Sequence, residues 1–593
     1  MSEASRSSIH LTMRDGVRIA IDLFLPALES TQKIPTALYA DRYHRADEIP
    51  EGTPERLLEV AHLFNSNGYA LVLIDARGTG ASFGSRNAEV SKAELEDDRE
   101  VMNWIVAQAW SSGRIGAFGI SYTGDTAEMV TTLHHPALKA IAPGFNDFDV
   151  YEDLFSPGGV YNQWFGNLWF GLNNVLDEMP GSLEFAMQEL GLDSPEAVRA
   201  EIPRVRPVDG PDGLALREAA ILEHAANVNG AELLSQMPFK DDVSGEVSYT
   251  SLANGHRLEI ESSNMPMLVL AGWQDAGTAA GTLNRYVSFS NHQEVYIGAW
   301  SHGGGFNCDP FVADGTPPNP TLEVQNELLI QFFDRFVKGN ETPQPGFKRL
   351  HYATNGETQW RTLEGWNPNV KPELWYLEAN NALSRIAPTS SSGADSFITN
   401  FEAGTGEESR WRTQSGGGLV AYPSWSDHQH LSYLSKPLEQ DLRVFGFPRV
   451  RLQVKSSTPD GAIYAYLEDV APDGTERLIT EGQLRLIHRK LATRNPVERS
   501  MRTPRSFARA DAQNVIPGEV MTLEFDLIPT ATLFKEGHCI RLSLAGHDKD
   551  TFARYAEDGQ EYLIERNRLM VSSLELPVLH LEVNSPNSKL SNQ

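Results

Sequence analysis

The chain has 593 residues, 40% apolar and 22% charged, a globular composition that excludes a disordered or fibrous protein. Asp plus Glu outnumber Lys plus Arg by 79 to 50, and the formal charge of -29 repels phosphate backbones and argues against a nucleic-acid partner. No uncharged apolar run approaches the roughly 18 residues of a membrane helix, and two cysteines, Cys308 and Cys539, are too few for a disulfide framework or a Cys-rich zinc site.

The N-terminal MSEASRSSIHLTMRDG lacks the apolar core of a secretory signal, so a soluble cytoplasmic protein is expected. Residues 9–26 alternate apolar and polar around Asp15-Gly16, which predicts a hairpin. PTALYAD (35–41) reads as a buried strand. Residues 54–68 carry helical spacing at Leu57, Leu58, Val60, Ala61 and Phe64, with Gly68 as the C-terminal stop. A second strand, YALVLIDARG (69–78), precedes an amphipathic helix at 93–108 whose acidic start suits the helix dipole. Strands follow at 115–121 and 137–144. This alternation predicts a mainly parallel sheet covered on both faces.

The rhythm breaks at residues 145–245, where Trp164, Phe165, Trp169 and Phe170 stand among helical-looking polar stretches, and an inserted helical cap is expected there. Strand, helix and strand resume at 265–275, 280–289 and 294–303. A long amphipathic helix is then marked by Leu322, Val324, Leu328, Leu329, Phe332, Phe333 and Phe336. From residue 346 the chain reads as alternating strands joined by Pro, Asp and Gly turns, the pattern of an antiparallel sandwich or jelly roll. Within it, GTGEESRWRTQSGGGL (404–419) reads as a flexible surface loop.

The sharpest local signal is Gly119-Ile120-Ser121-Tyr122-Thr123-Gly124, between a strand and a helix-compatible stretch. A serine at such a turn is held with its hydroxyl exposed, and the N–H groups that follow it can stabilise an oxyanion. The usual second glycine of this elbow is replaced by Thr123, so the motif alone leaves open a plain strand–helix turn. A serine nucleophile needs a histidine oriented by a carboxylate. Asp275 and His302 each follow a later strand, in the order serine, acid, histidine that this architecture requires.

Several segments together resemble the cocaine-esterase-like and X-prolyl dipeptidyl-peptidase hydrolases, which include the α-amino-acid ester hydrolases and cephalosporin acylases. They are DGVRIAIDLFLP, DARGTGASFG (75–84), AWSSGRIGAFGISYTG (109–124), SPGGVYNQWF (156–165), GWQDAG (272–277), GAWSHGG (298–304) and the strand-rich stretches 468–489 and 517–546. The resemblance covers nearly the whole chain and makes the serine between glycine and tyrosine the family's own elbow form. It implies an α/β plus all-β protein: an α/β-hydrolase core (1–144 and 246–345), a helical cap (145–245) and a C-terminal jelly-roll β-sandwich (346–593). It also implies Ser121 as nucleophile, His302 as base and Asp275 as the orienting acid. The Tyr43 hydroxyl, in the loop after an early strand, and the Tyr122 backbone N–H are the implied oxyanion donors. The position of Tyr43 in the first core loop agrees independently with such a role.

The expected reaction is hydrolysis of a small-molecule ester or amide through an acyl-enzyme, without metal or cofactor. Oligomeric state is left open, homo-oligomer included. Trp164, Phe165, Trp169 and Phe170 either line the acyl or leaving-group pocket or anchor the cap. Relatives that select α-amino acids carry carboxylates close after the catalytic acid, whereas AGTAAG follows Asp275 here; Asp147, Asp149, Glu152 and Asp153 either substitute for them or form a solvated acidic loop, and the chain reaches its first strand by residue 9, so the N-terminal helical domain typical of the prolyl peptidases is not expected. A carboxylesterase or amide acylase is therefore ranked above an amino-ester or β-lactam acylase and an X-Pro peptidase. A non-catalytic jelly-roll binding protein is the alternative of a different class. A nucleotide enzyme is disfavoured, because Gly78-Thr79-Gly80 is followed by Phe83 where a dinucleotide fingerprint needs glycine.

Overall fold

A computed structural model describes residues 5–27, 31–50, 53, 55–422, 430–493 and 500–580. Residues 1–4 of the N-terminal segment and residues 581–593 of the expected β-module lie outside the described residues.

The hairpin around Asp15-Gly16 forms as Ser5–Thr12 and Arg18–Leu25, in register from Ser5 with Leu25 to Thr12 with Arg18. It leads into a ten-stranded sheet. After the hairpin come Ala70–Asp75, Ile34–Asp41, Ser111–Ile120, Leu138–Gly144, Met267–Gly272, Gln293–Gly298, Lys348–Tyr352 and Arg361–Glu364. All neighbours from Ala70–Asp75 through Lys348–Tyr352 run parallel. Both faces are covered, and the side-chain period of two decides which residue goes where. In Ala70–Asp75, Leu71 and Leu73 join Phe64, Phe118 and Phe333 on one side. Val72 and Ile74 join Val101, Met102 and Ile105 on the other.

The order contains a topological switch. The chain goes from Ile34–Asp41 outward to Ala70–Asp75, then returns to place Ser111–Ile120 on the opposite flank of Ile34–Asp41. Loops after two parallel strands at such a point diverge to opposite faces and leave a crevice at the carboxyl ends. The loop carrying Tyr43 and the turn carrying Ser121 therefore border one opening.

Between Leu138–Gly144 and Met267–Gly272 the chain inserts helices that include Gln163–Leu176, Ser182–Leu190, Pro195–Glu201, Gly213–His224 and Gly230–Ser235. Gln163–Leu176 starts on a cap by Asn162, whose side chain accepts the Phe165 N–H. At its other end the buried Asp177 carboxylate accepts from Arg42 (3.2 Å), Arg86 (2.5 Å) and Asn227 (3.1 Å), which ties this helix to the loop beside Tyr43. Beyond residue 370 the chain is built from largely antiparallel strands. Ala462–Val470, for example, lies between Glu476–Arg485 and Cys539–Ala545. The molecule is thus an α/β-hydrolase core with a helical insertion and a C-terminal jelly-roll sandwich.

Three sequence expectations are corrected. The strands Lys348–Tyr352 and Arg361–Glu364, placed in the β-module by a boundary at 346, instead extend the core sheet, because Lys348–Tyr352 pairs in parallel with Gln293–Gly298. Leu322 and Val324, read as part of an apolar helical face, are exposed; the packed face of Leu322–Phe336 is Ile330, Phe332, Phe333 and Phe336. Residues 404–419, read as a flexible surface loop, bury Thr405, Ser409, Arg410, Trp411, Thr413 and Gln414 against the core. Glycine and serine content signalled a turn-rich path there and said nothing about what lies beneath it. Among the described residues, no helix is long and apolar enough to cross a membrane.

One buried ion-pair network fixes the loop after Ile34–Asp41. Arg45, fully buried, donates to Asp22 (2.9 Å), to Asp75 (2.7 Å) and to the Ser8 hydroxyl (2.8 Å), and its backbone N–H donates to Asp75 (2.6 Å). Both carboxylates are inaccessible to solvent. Removing the guanidinium leaves the buried Asp75 without its cation while Asp22 keeps its pair with Arg6, so Arg45→Met should lower unfolding free energy by about 3–5 kcal/mol, measured by denaturant titration.

Candidate active site

Ser121 follows the strand Ser111–Ile120 and precedes the helix Tyr122–Met129 with φ +62° and ψ −131°, backbone space that side chains rarely occupy. Its N–H donates to the Gly144 carbonyl (3.0 Å) and its carbonyl accepts the Asp125 N–H (2.9 Å). The turn is so tight that a Cβ on Gly119 would sit 2.3 Å from the Thr123 carbonyl oxygen, which makes glycine obligatory there. Thr123 closes the turn from inside, because its hydroxyl accepts the Ile120 N–H (2.8 Å) and donates to the Ile120 carbonyl (2.7 Å). Threonine thereby replaces the missing second glycine of the motif with two hydrogen bonds.

Asp275 and His302 come from the next two strand ends. A Cβ on Gly272 would lie 2.2 Å from the Trp300 carbonyl oxygen, and the Gln274 N–H donates to that oxygen at 3.0 Å. The two loops therefore cross in contact. Asp275, fully buried, accepts from His302 Nδ1 at 3.0 Å. An ionised carboxylate is acceptor-only, so Nδ1 carries the proton and Nε2 is left as the acceptor. The second Asp275 oxygen accepts the Thr278 hydroxyl (2.9 Å). The imidazole lies edge-on to Phe145, 6.2 Å between centroids, and Phe145 directly follows the Gly144 that holds the Ser121 N–H. The turns carrying Ser121, Asp275 and His302 thus follow parallel strands at one edge of the sheet; Asp275 and His302 are joined by a hydrogen bond, and Phe145 lies between that pair and the serine turn. Gln325 braces the histidine loop by donating to the Gly304 carbonyl (3.1 Å).

A pocket of about 790 Å³, its open mouth included, is lined by Ser121, Tyr43 and Tyr122. That size suits a small organic ligand. Phe155, Phe165, Trp169 and Phe170 form its aromatic wall. The Tyr43 hydroxyl accepts the Trp169 indole N–H (2.9 Å), and burial pushes the phenol well above its usual pKa, so it remains a proton donor. Trp164 is the exception among the four cap aromatics. Its ring lies under the Arg412 guanidinium at 4.7 Å and its backbone N–H donates to the Thr551 carbonyl (3.1 Å). It sits one position before Phe165 on the helix, so it points to the β-module while Phe165 points to the pocket.

Sequence reasoning missed several neighbours. Asp125, one helical turn beyond Ser121, and Glu89 line the pocket beside Asp147, the one member of the acidic cap group 147–153 to do so. Burial raises both aspartates well above the ordinary carboxyl range. The turn spacing from Ser121 was the available signal for Asp125. Nothing local marked Gln414, which donates to the Asp275 carboxylate from the β-module. Cys308 is buried, which raises its thiol pKa and leaves it a poor nucleophile. Among the described residues no cluster of three His, Cys, Asp or Glu side chains is arranged to hold a metal ion.

The Tyr122 hydroxyl donates to Glu94 (2.7 Å), and burial pushes the Glu94 carboxyl up to about 7 from its ordinary 4.5. Between those values the folded chain keeps a proton that the unfolded chain has released. Its contribution to stability is therefore full below pH 4.5, falls as pH rises and is gone above 7. Glu94→Gln should remove on the order of 2 kcal/mol of the stability lost between pH 5 and 8, measured by denaturant titration at both pH values. The strained serine allows a second measurement. Ser121→Gly should be more stable than Ser121→Ala by about 1 kcal/mol, because only alanine keeps a Cβ at positive φ; equal denaturation midpoints would show that the turn stores no strain.

Two family models match the chain: X-Pro dipeptidyl-peptidase (S15 family) over residues 15–304, and the X-Pro dipeptidyl-peptidase C-terminal non-catalytic domain over residues 346–574. A Mycobacterium bovis protein carrying the name "Putative serine esterase" is 36% identical, covering 97% of this chain and 95% of that protein. The cocaine esterase of a Rhodococcus species is 26% identical over 93% of this chain and 92% of its own length. The solved structure of an α-amino acid ester hydrolase superposes with a TM-score of 0.70 at 18% identity, covering 97% of this chain and 96% of that one, and shows the same fold.

Proposed function

Because the chain belongs to the family of serine hydrolases that holds the S15 X-Pro dipeptidyl-peptidases and cocaine esterase, we propose that it cleaves a carboxylic ester or amide through an acyl-enzyme on Ser121. The observation that carries this reading is the buried Asp275–His302 pair at the sheet edge where the elbow serine opens into an aromatic pocket.

In this mechanism His302 Nε2 takes the Ser121 proton as Oγ attacks the substrate carbonyl carbon. Asp275 keeps the imidazole in the required tautomer and stabilises the imidazolium. The oxyanion receives hydrogen bonds from the Tyr122 backbone N–H, at the first turn of its helix, and from the Tyr43 hydroxyl. The raised pKa of Tyr43 keeps that hydroxyl protonated throughout the working pH range. His302 then returns the proton to the departing alcohol or amine. A water, deprotonated by the same nitrogen, attacks the acyl carbon and frees the acid and Ser121. Phe155, Phe165, Trp169 and Phe170 offer an apolar surface to the acyl or leaving group, and Trp169 also orients Tyr43.

A simple ester or amide is the preferred substrate class, since no carboxylate follows Asp275 closely. Asp125, Asp147 and Glu89 at the pocket favour a second reading, in which the acyl group carries an amine. A panel of p-nitrophenyl acyl esters, α-amino esters and an X-Pro anilide separates the readings, and a higher kcat/KM on the anilide or amino esters would reverse the ranking.

Ser121→Ala should abolish ester hydrolysis and covalent labelling by an alkyl phosphonate. Tyr43→Phe should keep labelling but lose on the order of 10²–10³ in kcat with little change in KM, the signature of an interaction made mainly in the transition state. Wild-type turnover in either variant would refute its assignment.

A further inference from the structure

We propose that Gln414, supplied by the β-module, is a positioning residue for the reaction, holding the Asp275 carboxylate in the orientation that His302 needs. The inference rests on the serine–histidine–aspartate reading above. It adds that the segment matched by a domain described as non-catalytic completes the acid's environment.

Asp275 is fully buried and, among the described residues, has no Lys or Arg hydrogen-bonded to it. A buried carboxylate must then be held by hydrogen-bond donors. Thr278 occupies one oxygen. The other, Oδ1, is shared: it accepts from His302 Nδ1 and from Gln414 Nε2. Because that oxygen can only accept, the Gln414 amide must turn its NH2 toward it.

Gln414 is itself buried, and the segment around it is fastened on both sides. The Ala276 N–H donates to the Arg410 carbonyl (3.1 Å), and Arg410 Nη2 donates to the Gln274 side chain (2.9 Å). These contacts grip the two residues that flank Asp275. Toward the β-module, Arg410 lies 3.7 Å from the buried Glu481, and its backbone N–H donates to Tyr422 (3.2 Å). At Gly417 the same segment runs against the His302 carbonyl, which a Cβ would approach to 2.8 Å. The loop thus touches both sides of the acid–base pair.

A donor on Asp275 has two consequences. It fixes the carboxylate plane, and it withdraws negative charge from the oxygen facing the imidazole. Without it the carboxylate turns more negative charge toward the imidazole and favours its protonated form.

The test compares wild type, Gln414→Met, Asp275→Asn and the double variant on a p-nitrophenyl ester across pH, with active sites counted by phosphonate titration. Gln414→Met should lower kcat per titrated site about ten- to a hundredfold, the size of one hydrogen bond to a charged group, with KM within about twofold. The acid limb of kcat/KM should move to higher pH. In the Asp275→Asn background the same substitution should cost less than about twofold, because the two act through one unit. An unshifted acid limb with wild-type kcat per site, or an equal loss in both backgrounds, overturns the role of Gln414. Wild-type kcat in Asp275→Asn alone would instead overturn the underlying triad reading.

Discussion

A buried carboxylate with no hydrogen-bonded Lys or Arg among the described residues governs this molecule's arrangement. A buried carboxyl needs hydrogen-bond donors around it, and for Asp275 they come from three separate stretches of chain: Thr278 beside it, His302 after the next strand, and Gln414 from the β-module. Each contact fixes a larger element. Thr278 opens the helix Thr278–Ser288, His302 heads the loop braced by Gln325, and Gln414 lies on the segment clamped by Arg410. Satisfying one charge thus ties the core sheet to the sandwich.

The other half of the site is set by close approach rather than by charge. Ser121 can occupy its unfavourable conformation because the surroundings overdetermine it. Its N–H is held by Gly144, Thr123 bonds both backbone groups of Ile120, and Gly119 leaves no room for any other path. Tyr43 arrives from the neighbouring parallel strand across the topological switch. Arg45, two residues on, anchors that loop through Asp22 and Asp75, and Arg42, one residue before, reaches Asp177 at the far end of the helix that carries Phe165, Trp169 and Phe170. The pocket wall and its polar rim are therefore positioned by a common set of buried ion pairs. Burial also raises the pKa values of the phenols of Tyr43 and Tyr122 and of the carboxyls of Asp125 and Asp147 around the opening.

Much of the core was legible along the chain. The hairpin at Asp15-Gly16, the helices near 56–66 and 92–107, and the strands ending at Asp75, Ile120, Gly144, Gly272 and Gly298 all carry strong periodicity, and the structure forms each of them. Failures occurred where periodicity and packing part company. Leu322 and Val324 keep the apolar spacing of their helix but project beyond the sheet it covers. Lys348–Tyr352 has the look of the strands that follow it, yet it pairs with Gln293–Gly298, and no local pattern distinguishes those partners. Trp164 and Phe165 are adjacent aromatics of similar character, and only the helix's rotational setting sends them to different places.

The amino-acid order alone determined the alternating core, the inserted helices and the β-rich remainder, and it singled out Ser121, Asp275 and His302 as candidates, because these depend on short-range periodicity, turn chemistry and order along the strands. Tertiary structure alone decided that Thr123 closes the serine turn, that Asp125 borders the pocket, and that Gln414 reaches Asp275 across 139 positions. Those contacts arise from the way distant backbones cross, which buries a polar atom and thereby dictates its partner. A glutamine in a glycine- and serine-rich tract carries no trace of that requirement until the carboxylate beneath it is in place.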